Sequence, residues 1–179
     1  MATADDRNLI ILDISNASFP VEVGNFNMQA ADGSDNHGKS LAMVGDSLYL
    51  GRTKVVAGID GAKFYVLDAT DPATAILPIL GSYSGSAKSV DGVIVRGKSE
   101  PDMSASLPAL AFVLTPEELK VLDISDSTTI GQSGAMPLAS GTYGSPIYEP
   151  VFDGEGNYLF IGSTDILKNG YLSIIVPRP

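Results

Sequence analysis

Cysteine and tryptophan are absent from this 179-residue chain, and histidine occurs once, at His37. Without cysteine there are no disulfides, no thiolate nucleophile and no cysteine-ligated zinc. A single histidine leaves no histidine pair to hold a metal. Basic residues are scarce, with 11 Lys and Arg against 21 Asp and Glu, a net charge of −10 and a pI near 4.3. They form no run, so a nucleic-acid backbone is not an expected partner. No apolar stretch approaches the roughly 20 residues of a membrane span. The opening residues MATADDRN show no basic segment followed by an apolar one, so they are not expected to act as a signal peptide. Helical periodicity is missing as well. Nineteen Gly and eleven Pro break every window that could keep apolar residues at i, i+3, i+4 and i+7.

What is present is a repeat. Asn8 to Ser15 reads NLIILDIS, Lys63 to Thr70 reads KFYVLDAT, and Glu118 to Ser125 reads ELKVLDIS. The Leu-Asp pair therefore recurs at 12–13, 67–68 and 122–123, a step of 55 residues taken twice. A weaker copy, YLSIIVP, occupies Tyr171 to Pro177. A fixed period of this length means one supersecondary unit copied several times. The surrounding sequence consists of short apolar or alternating runs bounded by Gly, Asp, Asn and Pro, which reads as many strands. Hydrophobic residues at 44% and charged ones at 18% give an ordinary globular balance.

Each copy continues past the Leu-Asp core into a polar turn and a further strand. That strand is expected at Pro20-Val-Glu-Val-Gly24-Asn-Phe26, Pro78-Ile-Leu-Gly81-Ser-Tyr83 and Pro137-Leu-Ala-Ser-Gly141-Thr-Tyr143. Proline at its start suits an outer edge, where a missing N–H costs nothing. Two strands are expected before each core: 40–44 and 47–51 around the Gly45-Asp46 turn, 90–95 and 109–114 around a polar insertion at 96–106, and 147–152 and 158–162 around a glycine hairpin. The unit is thus four antiparallel strands, a to d, and four-stranded sheets repeated radially are propeller blades. The chain resembles the LVIVD-repeat group of β-propeller proteins. Asp13-Ile-Ser-Asn16 and Asp68-Ala-Thr-Asp-Pro72 carry the resemblance, while Asp123-Ile-Ser-Asp126 has Ser127 where proline is expected and is read with a longer turn. The resemblance implies an all-β fold, a β-propeller-type array of about three to four blades. Residues 38–84 and 86–143 are read as whole blades, 9–26 as strands c and d of another, and 147–176 as strands a, b and c of a fourth. Strand c then stands at both ends, so the ends do not interlock into one blade. A slice of a longer array, a small ring and a self-completing oligomer all stay open, and unpaired edges favour self-association.

The recurring carboxylates Asp13, Asp68 and Asp123 are expected to accept N–H bonds in the c–d turn, helped by the Ser or Thr two residues on. The densest polar segment runs from Asp32 to Gly38, and its Asp32, Asp35, Asn36 and His37 are the candidate binding residues. Oxygens at 32, 34 and 36 match the alternation of a calcium loop, but no bidentate Glu follows at the required distance, so no metal site is assigned. No cofactor motif occurs. Glu149, Asp153 and Asp91 are the carboxylates that a glycosidase reading would need on a central channel. Asn16-Ala-Ser18 is a glycosylation sequon inside the repeat turn. Tyr49, Tyr65, Phe112, Tyr158 and Phe160 read as packing between blades.

The expectation is a non-catalytic binding or structural module that takes a protein or surface ligand through loops 27–39 and 96–106. The cysteine-free, acidic composition points to a prokaryotic protein, secreted or on the cell surface. An oligomer that completes the propeller, and a carbohydrate-active enzyme, are the two alternatives.

Overall fold

The structure, a computed structural model, describes residues 9–26, 36–54, 62–71, 77–85, 89–96, 109–138, 151–152, 158–164 and 170–176. Every regular element among them is a strand. The first sheet pairs β1 (Leu9–Asp13) with β2 (Val21–Phe26). The second runs in order through β3 (Asn36–Val44), β4 (Ser47–Lys54), β5 (Phe64–Asp68) and β6 (Ile79–Tyr83). The third repeats that order with β7 (Gly92–Arg96), β8 (Leu110–Leu114), β9 (Glu118–Asp123) and β10 (Gly131–Pro137). The fourth holds β11 (Val151–Phe152), β12 (Leu159–Thr164) and β13 (Gly170–Ile175). All neighbouring strands are antiparallel. The array is therefore c–d, a–b–c–d, a–b–c–d and a–b–c.

Register shows that the copies are structurally equivalent. Ile11, Val66 and Val121, each two residues before its Asp, pair with Gly24, Gly81 and Gly134. One residue is left over just before each glycine (Val23, Leu80 and Ser133), so all three c–d pairs carry a bulge at the same place. A bulge sharpens the local twist of an edge strand.

One expected strand is corrected. The strand that pairs with β9 as the last of the third sheet is Gly131–Pro137, six residues ahead of the expected Pro137–Tyr143, of which 139–143 lie outside the described residues. Ile130 stands where the first copy has Pro20, and Met136 stands where it has Phe26, so the Pro and aromatic markers are missing from the true strand. The Asp123 turn is not lengthened. Thr129 N–H donates to Asp126 O at 3.1 Å as Phe19 N–H donates to Asn16 O at 2.9 Å, and β10 and β2 begin equally far from their aspartates.

Between the strands a and b of the second sheet, Gly45 adopts φ +56°, the left-handed geometry that a two-residue hairpin needs and that glycine enters without steric cost.

Packing follows the period of two. In β5, Phe64 and Val66 point to the third sheet while Tyr65 and Leu67 point to the first, so the strand is apolar on both faces. In β8, Ala111 and Val113 face the second sheet while Phe112 and Leu114 face the fourth. Three apolar layers result. Phe26, Leu9 and Ile11 meet Leu48, Leu50, Tyr65 and Leu67. Tyr49, Phe64 and Val66 meet Val93, Ala111, Val113 and Leu122. Phe112, Leu114 and Leu119 meet Leu159, Ile161 and Ile175. Sheets covered on both sides need such continuous apolar strands. The narrow first sheet covers the second only in part, leaving Leu41 and Met43 exposed.

Candidate functional site

The recurring aspartates brace turns. The N–H of Ser15 donates to Asp13 Oδ1 at 2.8 Å, that of Thr70 to Asp68 Oδ1 at 2.9 Å, and that of Ser125 to Asp123 Oδ1 at 2.9 Å. Asp126 repeats the device one step later, accepting from Thr128 N–H at 2.9 Å and Thr128 Oγ1 at 2.7 Å. These bonds favour the charged form. The Ser15 N–H, and then its hydroxyl, hold Asp13 below the ordinary carboxylate value. The Thr70 hydroxyl, and then its N–H, do the same for Asp68, and Thr128 acts likewise on Asp126. A carboxylate used this way closes a turn locally.

Of the candidate binding residues, Asp32 and Asp35 lie outside the described residues. Asn36 opens β3 opposite Lys54, and His37 is exposed on the same strand opposite Thr53. The end of the polar segment is thus strand and not loop, because β4 extends to Lys54 and pairs with it. Of the loops at 27–39 and 96–106, only 36–39 and Arg96 are described, and these belong to β3 and β7.

Around this end of β3 the structure assembles a polar junction that sequence reading missed. Lys39 Nζ, in β3, forms an ion pair with Asp91 Oδ1 at the entry to β7. The Thr53 and Ser89 hydroxyls share a hydrogen bond of 2.5 Å, and Val90 N–H donates to Arg52 O at 2.9 Å. Arg52 itself is buried, with Nη1 donating to Ala62 O at 3.1 Å and its guanidinium 5.3 Å from the centre of the Tyr65 ring. The Asp91 side chain is only 1% exposed, so Lys39 supplies the charge that makes its burial tolerable. The two residues are 52 apart in sequence, and no local pattern announces the pair. It also occupies the one described member of the carboxylate set Asp91, Glu149 and Asp153, the other two lying outside the described residues.

A second polar link ties the outer strands. Tyr83 OH donates to Gln132 Oε1 at 2.7 Å, Lys120 Nζ reaches the same oxygen at 3.3 Å, and Lys120 pairs with Glu118 Oε1 at 2.8 Å. Lys120 holds the strand-c position that Tyr65 holds in the second sheet, packing its stem between blades while its ammonium finds these oxygens at the edge.

The aromatic residues divide. Tyr49, Tyr65 and Phe112 are buried between sheets, as their repeat positions suggest, and burial pushes the Tyr49 hydroxyl up against a smaller opposing effect of Ser47. Tyr158 is exposed, and Phe160 is partly covered with its ring centre 6.4 Å from that of Tyr158. Phe160 lies in β12 and Tyr158 just before it, on the side of the fourth sheet that has no neighbouring blade among the described residues. Among those residues no three of Asp, Glu and His gather as metal ligands.

Residues 3–28 match the LVIVD repeat family. No curated protein and no solved structure matches the chain. The matched segment contains β1, its Asp13 turn and β2, the unit that the register finds again at Asp68 and Asp123. The chain carries an LVIVD repeat, and its all-β, four-stranded antiparallel sheets form a β-propeller-like array of blades.

Proposed function

We propose that the chain is a non-catalytic binding or structural module of a prokaryotic surface or secreted protein, presenting two segments to a protein or surface ligand: 27–39, which leads from the first sheet into β3 of the second, and 96–106, which lies between β7 and β8 of the third. The observation that carries this reading is the commitment of its polar groups to the scaffold. Asp13, Asp68 and Asp123 brace turns, and Asp91 is held by Lys39. Connections between rigid strands tolerate variation and so are where recognition groups accumulate on such scaffolds.

Replacing residues 28–35 and 97–106 with short Gly-Ser linkers is expected to leave the β-sheet circular dichroism unchanged. The same change should abolish capture, by the immobilised chain, of polypeptides from a prokaryotic cell-surface extract. Capture unaffected by the replacement counts against the loops. Hydrolysis of any member of a common glycan panel by the intact chain counts against the non-catalytic reading.

A further inference from the structure

We propose that the outer face of the fourth sheet is a docking surface for the outer face of the first sheet of a second copy of this chain, so that copies stack head to tail.

Every junction inside the molecule is built one way. The face of each sheet that bears Phe64 and Val66, or Leu119 and Val121, meets the face of the following sheet that bears Leu122, or Ile175. Strand c supplies both faces by alternation, with Leu9 and Ile11, Phe64 and Val66, Leu119 and Val121 looking forward along the array. Ile10 and Leu12, Tyr65 and Leu67, Lys120 and Leu122 fall on the opposite, backward-looking face of the same strands.

In the fourth sheet, Ile175 packs backward onto the third, which puts Leu172 and Ile174 on its forward face. They are 65% and 58% exposed, whereas their counterparts Phe64 and Val66 are both at 0%. In the first sheet, the backward pair Ile10 and Leu12 is 42% and 51% exposed, whereas Leu67 and Leu122 are at 0%. Among the described residues, these two uncovered faces are therefore opposite halves of the junction that the chain already makes three times. Each presents bare apolar side chains at the positions that are dry inside. Tyr158 and Phe160 extend the forward face. An isolated exposed Leu needs no explanation, but two matched apolar faces at the ends of one array mark an interaction surface. Forward meeting backward is a heterologous contact, which propagates to a ring or an open stack and does not stop at a two-fold dimer. The proposal concerns faces and is independent of the loops at 27–39 and 96–106.

The test is sedimentation velocity on the purified chain over a wide concentration range. Mass should rise with concentration, and added sodium chloride should strengthen association by screening the −10 charge of each copy. Variant one carries Leu172→Asp and Ile174→Asp, and variant two carries Ile10→Asp and Leu12→Asp. Each alone should associate about tenfold or more weakly than the unaltered chain. An equimolar mixture should form a dimer containing one of each and nothing larger, because only one forward and one backward face remain intact. Leu172→Thr with Ile174→Thr, and Ile10→Thr with Leu12→Thr, which keep strand-forming residues, serve where the aspartates disturb folding, as read by circular dichroism. A chain that stays monomeric at all concentrations and salts overturns the proposal. So does a variant that still associates with itself, a mixture that yields no dimer, or a monomer that floats with neutral phosphatidylcholine vesicles instead.

Discussion

Replacing Phe64 with alanine is expected to lower the unfolding free energy by about 3–5 kcal/mol, whereas replacing Leu172 with alanine should change it by about 0.5 kcal/mol or less. The two residues occupy the same place in the repeat, on the forward face of strand c. Their difference lies in what stands opposite. Phe64 is fully buried in the layer formed with Val93, Ala111, Val113 and Leu122, and its ring centre lies 6.3 Å from that of Tyr49. Removing it leaves a void between two sheets that are each pinned by their own hydrogen bonds, so collapse is limited. Leu172 faces outward and already contacts water. Urea denaturation at a concentration where the chain is monomeric reads both values, with an unchanged slope confirming that the same surface is exposed on unfolding. Equal losses at the two positions would mean that the fourth sheet is covered, or that the second and third do not meet.

A second pair makes the same comparison with backbone. Gly81→Ala is expected to destabilise by about 1–3 kcal/mol, while Gly134→Ala should be neutral or slightly favourable, since alanine in a strand loses less entropy than glycine on folding. Both glycines sit opposite the residue two before their aspartate. A β-carbon at Gly81 would overlap the carbonyl oxygen of Ser127, in the turn of the next blade, and crowd Ile130. At Gly134 the same atom would meet nothing within 4 Å. The cost at Gly81 is one of space, because its φ is not in the left-handed region. The obstacle is main chain, which no rotamer change relieves, so the third sheet's c–d turn must move away from β6. Thermal denaturation of the two variants side by side measures this. Equal midpoints would contradict the close approach of the second and third blades.

The architecture was legible because the repeat writes its hydrogen bonds locally. Aspartate followed two residues later by Ser or Thr makes its turn with its own neighbours, so Asp13, Asp68 and Asp123 could be assigned from sequence. Unbroken apolar runs in FYVLD and LAFVL likewise suit strands covered on both faces. Reading failed where a marker residue was replaced. With Ile130 and Met136 in place of proline and an aromatic, Gly131–Pro137 lacks the markers that a segment six residues later displays. It failed again where partners are distant, as with Lys39 and Asp91, whose meeting depends on how two sheets lean together. Tyr158 shows a third limit. A repeat position tells which face a side chain is on, but whether that face is covered depends on the next sheet. The candidate segment from Asp32 to His37 illustrates the weakness of composition as a guide. Polar residues look alike in a loop and on an edge strand, and only the pairing of Asn36 and His37 with β4 assigns those two to the latter.

The central claim is that equivalent copies of one unit form sheets stacked face to face, two covered on both sides and two on one among the described residues. Amide hydrogen exchange followed by mass spectrometry, at a dilution where the chain is monomeric, addresses it most directly, since protection tracks local burial and pairing. Phe64–Asp68 and Glu118–Asp123 should exchange slowest and at similar rates, with Leu9–Asp13 and Gly170–Ile175 exchanging well before them. Strand c of the first or fourth sheet protected as strongly as that of the second, or rates in β5 and β9 far apart, would contradict the stack.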